Sequence, residues 1–148
     1  FYLRQTALTH DIEHIVTGFG PNHGGEIALL VGNLHAKARY FHPELAAFFN
    51  RVPSYLRAKT IMKDMLHYAE GYALNLEAEY VGATQARNWK YPIMLADWRA
   101  MVDWQISDIQ EELGITPVPP EGLWADTNNL VEDALHANDD VATAVAAE

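Results

Sequence analysis

The chain has 148 residues, 49% of them hydrophobic and 20% charged, with a net charge of −10 and no cysteine. This is one domain's length with enough apolar residues for a core, and it excludes a disulfide framework, thiolate metal ligands and a cysteine nucleophile. Through Arg99 ten Lys/Arg face nine Asp/Glu, and after it come eleven acids and no base; phosphate contacts need a basic footprint, so nucleic acid is not an expected partner.

In chain order, the pattern predicts a first helix over residues 1–18, closed by Gly18. Phe1-Tyr2-Leu3 opens the chain without an initiator methionine, as expected if an N-terminal piece has been removed. The turn signals Gly18-Phe19-Gly20-Pro21 and Gly24-Gly25 lead to a second helix over 26–41, with Ile27, Leu30, Val31, Leu34 and Ala38 inward. His42-Pro43 breaks it, and a short helix follows over 43–50. A long helix is expected over 57–80, with Ile61, Met65, Tyr68, Ala69, Tyr72 and Leu76 inward and Gly82 as its end. Pro92 opens a further helix, with Val102, Ile106, Ile109 and Leu113 inward and Gly114 as C-cap. Residues 116–122 read as a loop, 128–137 as one more helix and the end as a frayed acidic tail. Tyr68, Tyr72, Tyr80, Trp89, Trp98 and Trp104 are expected in the core. The fold class is therefore all-α: a single-domain antiparallel helical bundle over 1–118, with an acidic, flexible C-terminal extension over 119–148. No apolar run reaches the ~20 residues of a membrane span.

The chemistry concentrates early. His10 and His14 are four apart and share a helical face, which Asp11 borders. Eleven residues separate His14 from Glu26, and the intervening turns can return Glu26 to that face. Two imidazoles and two carboxylates suit zinc, iron, cobalt or manganese better than calcium. On this reading His10, Asp11, His14 and Glu26 are metal ligands, and Glu13 lies off their face, solvated. His23, in the loop before Glu26, reads either as a loop-surface residue or as an extra ligand or proton shuttle, the first being favoured. Residues 37–63 hold Lys37, Arg39, Arg51, Arg57, Lys59 and Lys63 against Glu44 alone, interleaved with Phe41, Leu45, Phe48, Phe49, Tyr55 and Leu56. Such a stretch is either an anionic-membrane face or a hairpin whose aromatics are core.

The run Thr9-His10-Asp11-Ile12-Glu13-His14-Ile15-Val16-Thr17-Gly18, then Gly25-Glu26-Ile27-Ala28-Leu29, resembles the Coq four family of ubiquinone (coenzyme Q) biosynthesis proteins. The family signature, His-Asp-x-x-His, eleven residues, then Glu, is met without a gap. Glu13 departs from it where many relatives carry an aromatic, and so does the long acidic end. The resemblance implies a helical protein peripheral to membranes with one divalent metal, zinc first and iron, cobalt or manganese next. It implies decarboxylation, with hydroxylation at that carbon, of a polyprenylated aromatic acid, a metal-dependent lyase activity in which Glu26 and His10 meet the acidic head. The tail would lie along Leu30, Leu34, Met65 and Tyr72. Implied partners are that polyprenylated lipid, other ubiquinone-biosynthesis proteins and a second copy of the chain. The implied location is cytoplasmic, at the inner face of the cell membrane, or the mitochondrial inner membrane in a eukaryote.

Three other readings remain open at this point. A non-catalytic lipid-binding scaffold with a structural metal uses the same ligands. A di-iron carboxylate bundle would pair Asp11-x-x-His14 with Asp64-x-x-His67 and draw on Glu77 or Glu79. A His-Asp phosphohydrolase would need a ligand histidine before His10, which the chain does not supply.

Overall fold

The computed structural model describes residues 2–51, 55, 58–59 and 69–119, and all regular structure among them is helical. The order is α1 (Tyr2–Thr17), α2 (His23–Tyr40), α3 (residues 43–51), α4 (Ala69–Ala86), a 3-10 turn at Ile93–Leu95, and α5 (Ile106–Leu113). Arg57, Ile61, Lys63, Asp64, Met65, His67, Tyr68 and residues 120–148 lie outside the described residues, as do the side chains of His23 and Tyr72.

The closest helix pair is α2 with α4. It is built on small residues: Ala28, Gly32 and Ala36 repeat every four positions on α2 and face Ala78, Gly82 and Ala86, all buried. A Cβ on Gly82 would overlap the Ala28 carbonyl, and one on Gly32 would press into the Trp89 ring. Gly82 therefore sits inside α4 and does not end it: here glycine serves backbone approach, not termination. The same fact shifts the α2 stripe. The buried positions are Ala28, Leu29, Gly32, Asn33, Ala36 and Lys37, whereas Ile27, Leu30, Val31 and Leu34 are half-buried along the flanks and Ala38 is exposed. Leu76, expected inward on α4, is also exposed.

Gly24-Gly25 belongs to the first turn of α2, which begins at His23. Asn22 caps it, its side-chain oxygen accepting from the Gly25 N–H at 3.1 Å. The helix expected from Pro92 to Leu113 is broken into the 3-10 turn, further turns over 97–103, and α5. Asp97 accepts from the Ala100 N–H with both its carbonyl and its side chain, at 3.0 and 3.2 Å, a local turn that competes with helix. The break leaves Val102 77% and Ile106 50% exposed, although Ile109 and Leu113 point inward as expected. Gly114 closes α5 in the left-handed region at φ 71°. Trp89 is fully buried and Trp98 packs against the core, but Tyr80 and Trp104 are exposed.

The far end of α1 is held from three places. Gln85 on α4 donates to the Thr17 carbonyl at 3.0 Å and the Thr116 carbonyl at 2.8 Å. Gln110 on α5 donates to the Val16 carbonyl at 2.9 Å, and the Val118 N–H to Thr17 at 3.0 Å. These bonds satisfy carbonyls that a helix end leaves without partners, and they fix the turn of α1 that carries His14.

Candidate metal centre

His10 and His14 stand one turn apart on α1, their ring centroids 4.6 Å apart at an interplanar angle of 72°. Glu26, in the first turn of α2, reaches both. Its Oε2 lies 3.2 Å from His10 Nε2 and its Oε1 3.2 Å from His14 Nε2. The position also suits a carboxylate on a helix N-terminus.

The His14 ring is 7% exposed, and its Nδ1 lies 3.1 Å from the Phe19 carbonyl oxygen. A carbonyl can only accept, so Nδ1 carries a proton toward it, and Nε2 is the ring nitrogen turned to Glu26. That nitrogen is within ion-pair distance of Glu26 yet has no hydrogen-bond partner. His10 repeats the arrangement, its Nδ1 lying 3.5 Å from Asp11 Oδ1 while Nε2 faces Glu26. Two ring nitrogens thus converge on one carboxylate. Such an array is stable when cationic charge lies within it, either protons on the rings or a metal ion.

The residues present fit a metal. One ligand atom each from His10, His14 and Glu26 lies within 4.8 Å of the others. Nitrogen and oxygen ligands about 2.0–2.1 Å from an ion stand roughly 3–3.5 Å apart, so a small contraction closes the set. Two imidazoles and a carboxylate are also the donors of metal sites that keep positions open for an external ligand. The structure brings three of the four expected ligands together. Asp11 is fully exposed and stands against the other nitrogen of His10, where a carboxylate orients a ligating imidazole. Glu77 and Glu79 are not in this group, and Asp64 and His67, the other half of the di-iron arrangement, lie outside the described residues.

Glu13 differs from expectation most. It is 1% exposed, not solvated. Thr9 donates to its Oε1 at 2.7 Å and Asn33 on α2 to its Oε2 at 2.9 Å. Burial pushes its carboxyl above the usual carboxylate range, while Asn33, Thr9 and the His10 and His14 rings pull the other way. Lys37, 3% exposed, is pulled below the usual lysine range by burial, against the raising effect of Glu13. The sequence did carry a signal for this layer. Thr9, Glu13 and Thr17 recur every four residues on α1, as do Asn33 and Lys37 on α2.

A second surface lies over α3 and beyond it. Leu45, Phe48 and Tyr55 are exposed, Phe48 by 72%, with Arg51 and Lys59 exposed beside them in sequence. These apolar side chains are not core. Phe41 and Phe49 are half-buried and stack edge-to-face at 6.0 Å. Lys37 is withdrawn from the basic set by burial, and Arg39 donates to the Arg87 carbonyl.

No family model, curated protein or solved structure matches the chain. The candidate metal centre rests on geometry: His10, His14 and Glu26 form a group that could hold an ion.

Proposed function

We propose that this protein binds one divalent metal, zinc first among the candidates, and acts in ubiquinone biosynthesis on a prenylated aromatic acid at a membrane surface. The reaction class is decarboxylation of the ring carboxylate, as the sequence resemblance implies. The observation that supports it most is the convergence of the His10 and His14 Nε2 atoms on the single carboxylate of Glu26. A divalent metal held there supplies Lewis acidity toward a carboxylate or phenolate.

The residues divide the work. His14, buried and tied to Phe19, is the rigid anchor. His10 and Glu26, with side chains 38% and 48% exposed, border the side open to an acidic head group. Asp11 orients His10 and is the remaining candidate ligand. Leu30 and Leu34, one and two turns beyond Glu26 and half-buried, offer apolar contact for a prenyl tail. The exposed Leu45, Phe48 and Tyr55 with Arg51 and Lys59 suit an anionic bilayer, consistent with a peripheral position at the cytoplasmic face and with partners in the same pathway.

Elemental analysis of protein purified without added metal is the first test. One equivalent is expected in the wild type and little in His14→Ala, with the helical circular dichroism largely kept. Complementation of a ubiquinone-deficient strain, with quinone measured directly, tests the activity. Wild type restores quinone and Glu26→Gln does not, because an amide is a poorer metal ligand. Equal rescue by Glu26→Gln would make the metal structural and the protein a lipid-binding scaffold. Failure of a well-expressed wild type would remove the ubiquinone reading.

A further inference from the structure

The metal centre joins two helices whose backbones scarcely pair. α1 meets the 3-10 turn and α5 more closely than it meets α2, and α2 is committed to α4. His10 and His14 are on α1 and Glu26 is on α2, so the centre depends on how α1 is set against α2. Its own cross-helix contacts both end on the half-exposed Glu26 carboxylate, at 3.2 Å from each ring, so they leave the alignment further along the two helices to other contacts.

One other cross-helix bridge is at hand. Asn33 lies seven residues after Glu26, two turns along the same line of α2. Glu13 lies three residues after His10 and one before His14, on the arc of α1 that turns toward α2. Asn33 donates to Glu13 Oε2 at 2.9 Å, and both groups are buried. The other carboxylate oxygen is held by Thr9 from the preceding turn, at 2.7 Å, so the side chain has no freedom to swing away. The Glu13 carbonyl in turn accepts from Thr17 at 2.7 Å, linking this point to the anchored end of α1.

We propose that the Glu13–Asn33 bond is a metal-independent clamp that holds α1 and α2 in the alignment the centre requires, which makes Glu13 and Asn33 positioning residues for metal binding. The proposal rests on the reading of His10, His14 and Glu26 as metal ligands. It explains why a carboxylate is buried beside the site without entering the ligand group. Supporting hydrogen bonds around metal ligands are typically worth 10–100-fold in affinity, and a clamp acting through helix alignment belongs to that range.

The test is the dissociation constant for Zn²⁺, measured by competition with a chromophoric chelator well below the melting temperature, with circular dichroism to verify folding. Glu13→Met and Asn33→Leu each remove the bridge from one side and should weaken Zn²⁺ binding about 10–100-fold. Glu13→Gln keeps it, since its amide oxygen can accept from Asn33 and its amide N–H can donate to the Thr9 hydroxyl; it should bind within about threefold of wild type. A residue that only stabilised the fold would lower the melting temperature and leave the dissociation constant of the folded protein unchanged. If Glu13→Met does not fold, Asn33→Leu and Glu13→Gln decide the matter. Folded bridge-removing variants with wild-type affinity overturn the clamp, as does a large loss in Glu13→Gln, which would assign the effect to charge. A wild type that binds no Zn²⁺ fails differently, removing the metal centre itself.

Discussion

Lys37 lies almost wholly inside a protein that has only ten basic residues. Its ammonium is held below the ordinary 10.5 by burial, so the folded protein releases that proton before the unfolded chain does. Stability contributed this way rises as pH climbs through the folded-state value and is complete above 10.5. Lys37→Met lacks the term. The stability of wild type relative to this variant should therefore improve from pH 7 to pH 10, read from urea midpoints. Tyr91, pushed up by burial and by Glu112, acts in the opposite sense but is common to both proteins. A difference that does not move with pH would return Lys37 to ordinary proton affinity. At this scale the sequence was legible for the grouping of His10, His14 and Glu26, whose spacing and intervening turns bring them together. It misled for Glu13 and Lys37. A lone charge is ordinarily read as solvated, and Glu13 is buried because Thr9 on its own helix and Asn33 on the other each donate to its carboxylate.

Helices were legible wherever a single local signal governed them, as at Gly18, where φ is 76°, and at Gly114. They were misread where a residue answers to a neighbour distant in sequence. Gly82 looked like a stop signal and is a point of contact with the Ala28 carbonyl. Alanine is the better helix former by roughly 0.5–1 kcal/mol, so local propensity predicts that Gly82→Ala stabilises α4. The packing predicts the reverse. The added methyl must push α2 and α4 apart, at a cost of about 1–3 kcal/mol, and urea denaturation should show that loss. A variant as stable as wild type would mean that the two helices can separate there freely. The misplaced stripe on α2 has the same origin: periodicity found the large apolar residues, while the small ones decide which face a neighbouring helix can reach.

Across the whole molecule charge and apolar surface are segregated. Acids without any base follow Arg99, and exposed Leu45, Phe48 and Tyr55 accompany Arg51 and Lys59. Among the described residues no helix is long and apolar enough to cross a membrane. If the α3 face meets a bilayer, it does so from the side. Co-sedimentation should then favour anionic over neutral vesicles and weaken with salt, since exposed charges are screened over ~8–10 Å at 0.1–0.15 M. Leu45→Ala/Phe48→Ala should reduce pelleting with anionic vesicles several-fold without altering Zn²⁺ affinity. Equal pelleting with both vesicle types would sink the electrostatic part of this reading, and no effect of the double variant would sink the apolar part.

The bonds that hold the end of α1 also carry an order in time. The Val16 carbonyl is met by Gln110, 94 residues later, and that of Thr17 by Gln85 and Val118. During synthesis both histidines and Glu26 leave the ribosome long before the groups that steady the helix beneath them. A nascent chain can therefore display the three candidate ligands before residues 85–118 have arrived to steady the helix that carries two of them. For a group that could hold an ion, acquisition would then be a late event, coupled to the arrival of Gln85, Gln110 and Val118 and not to the appearance of the motif.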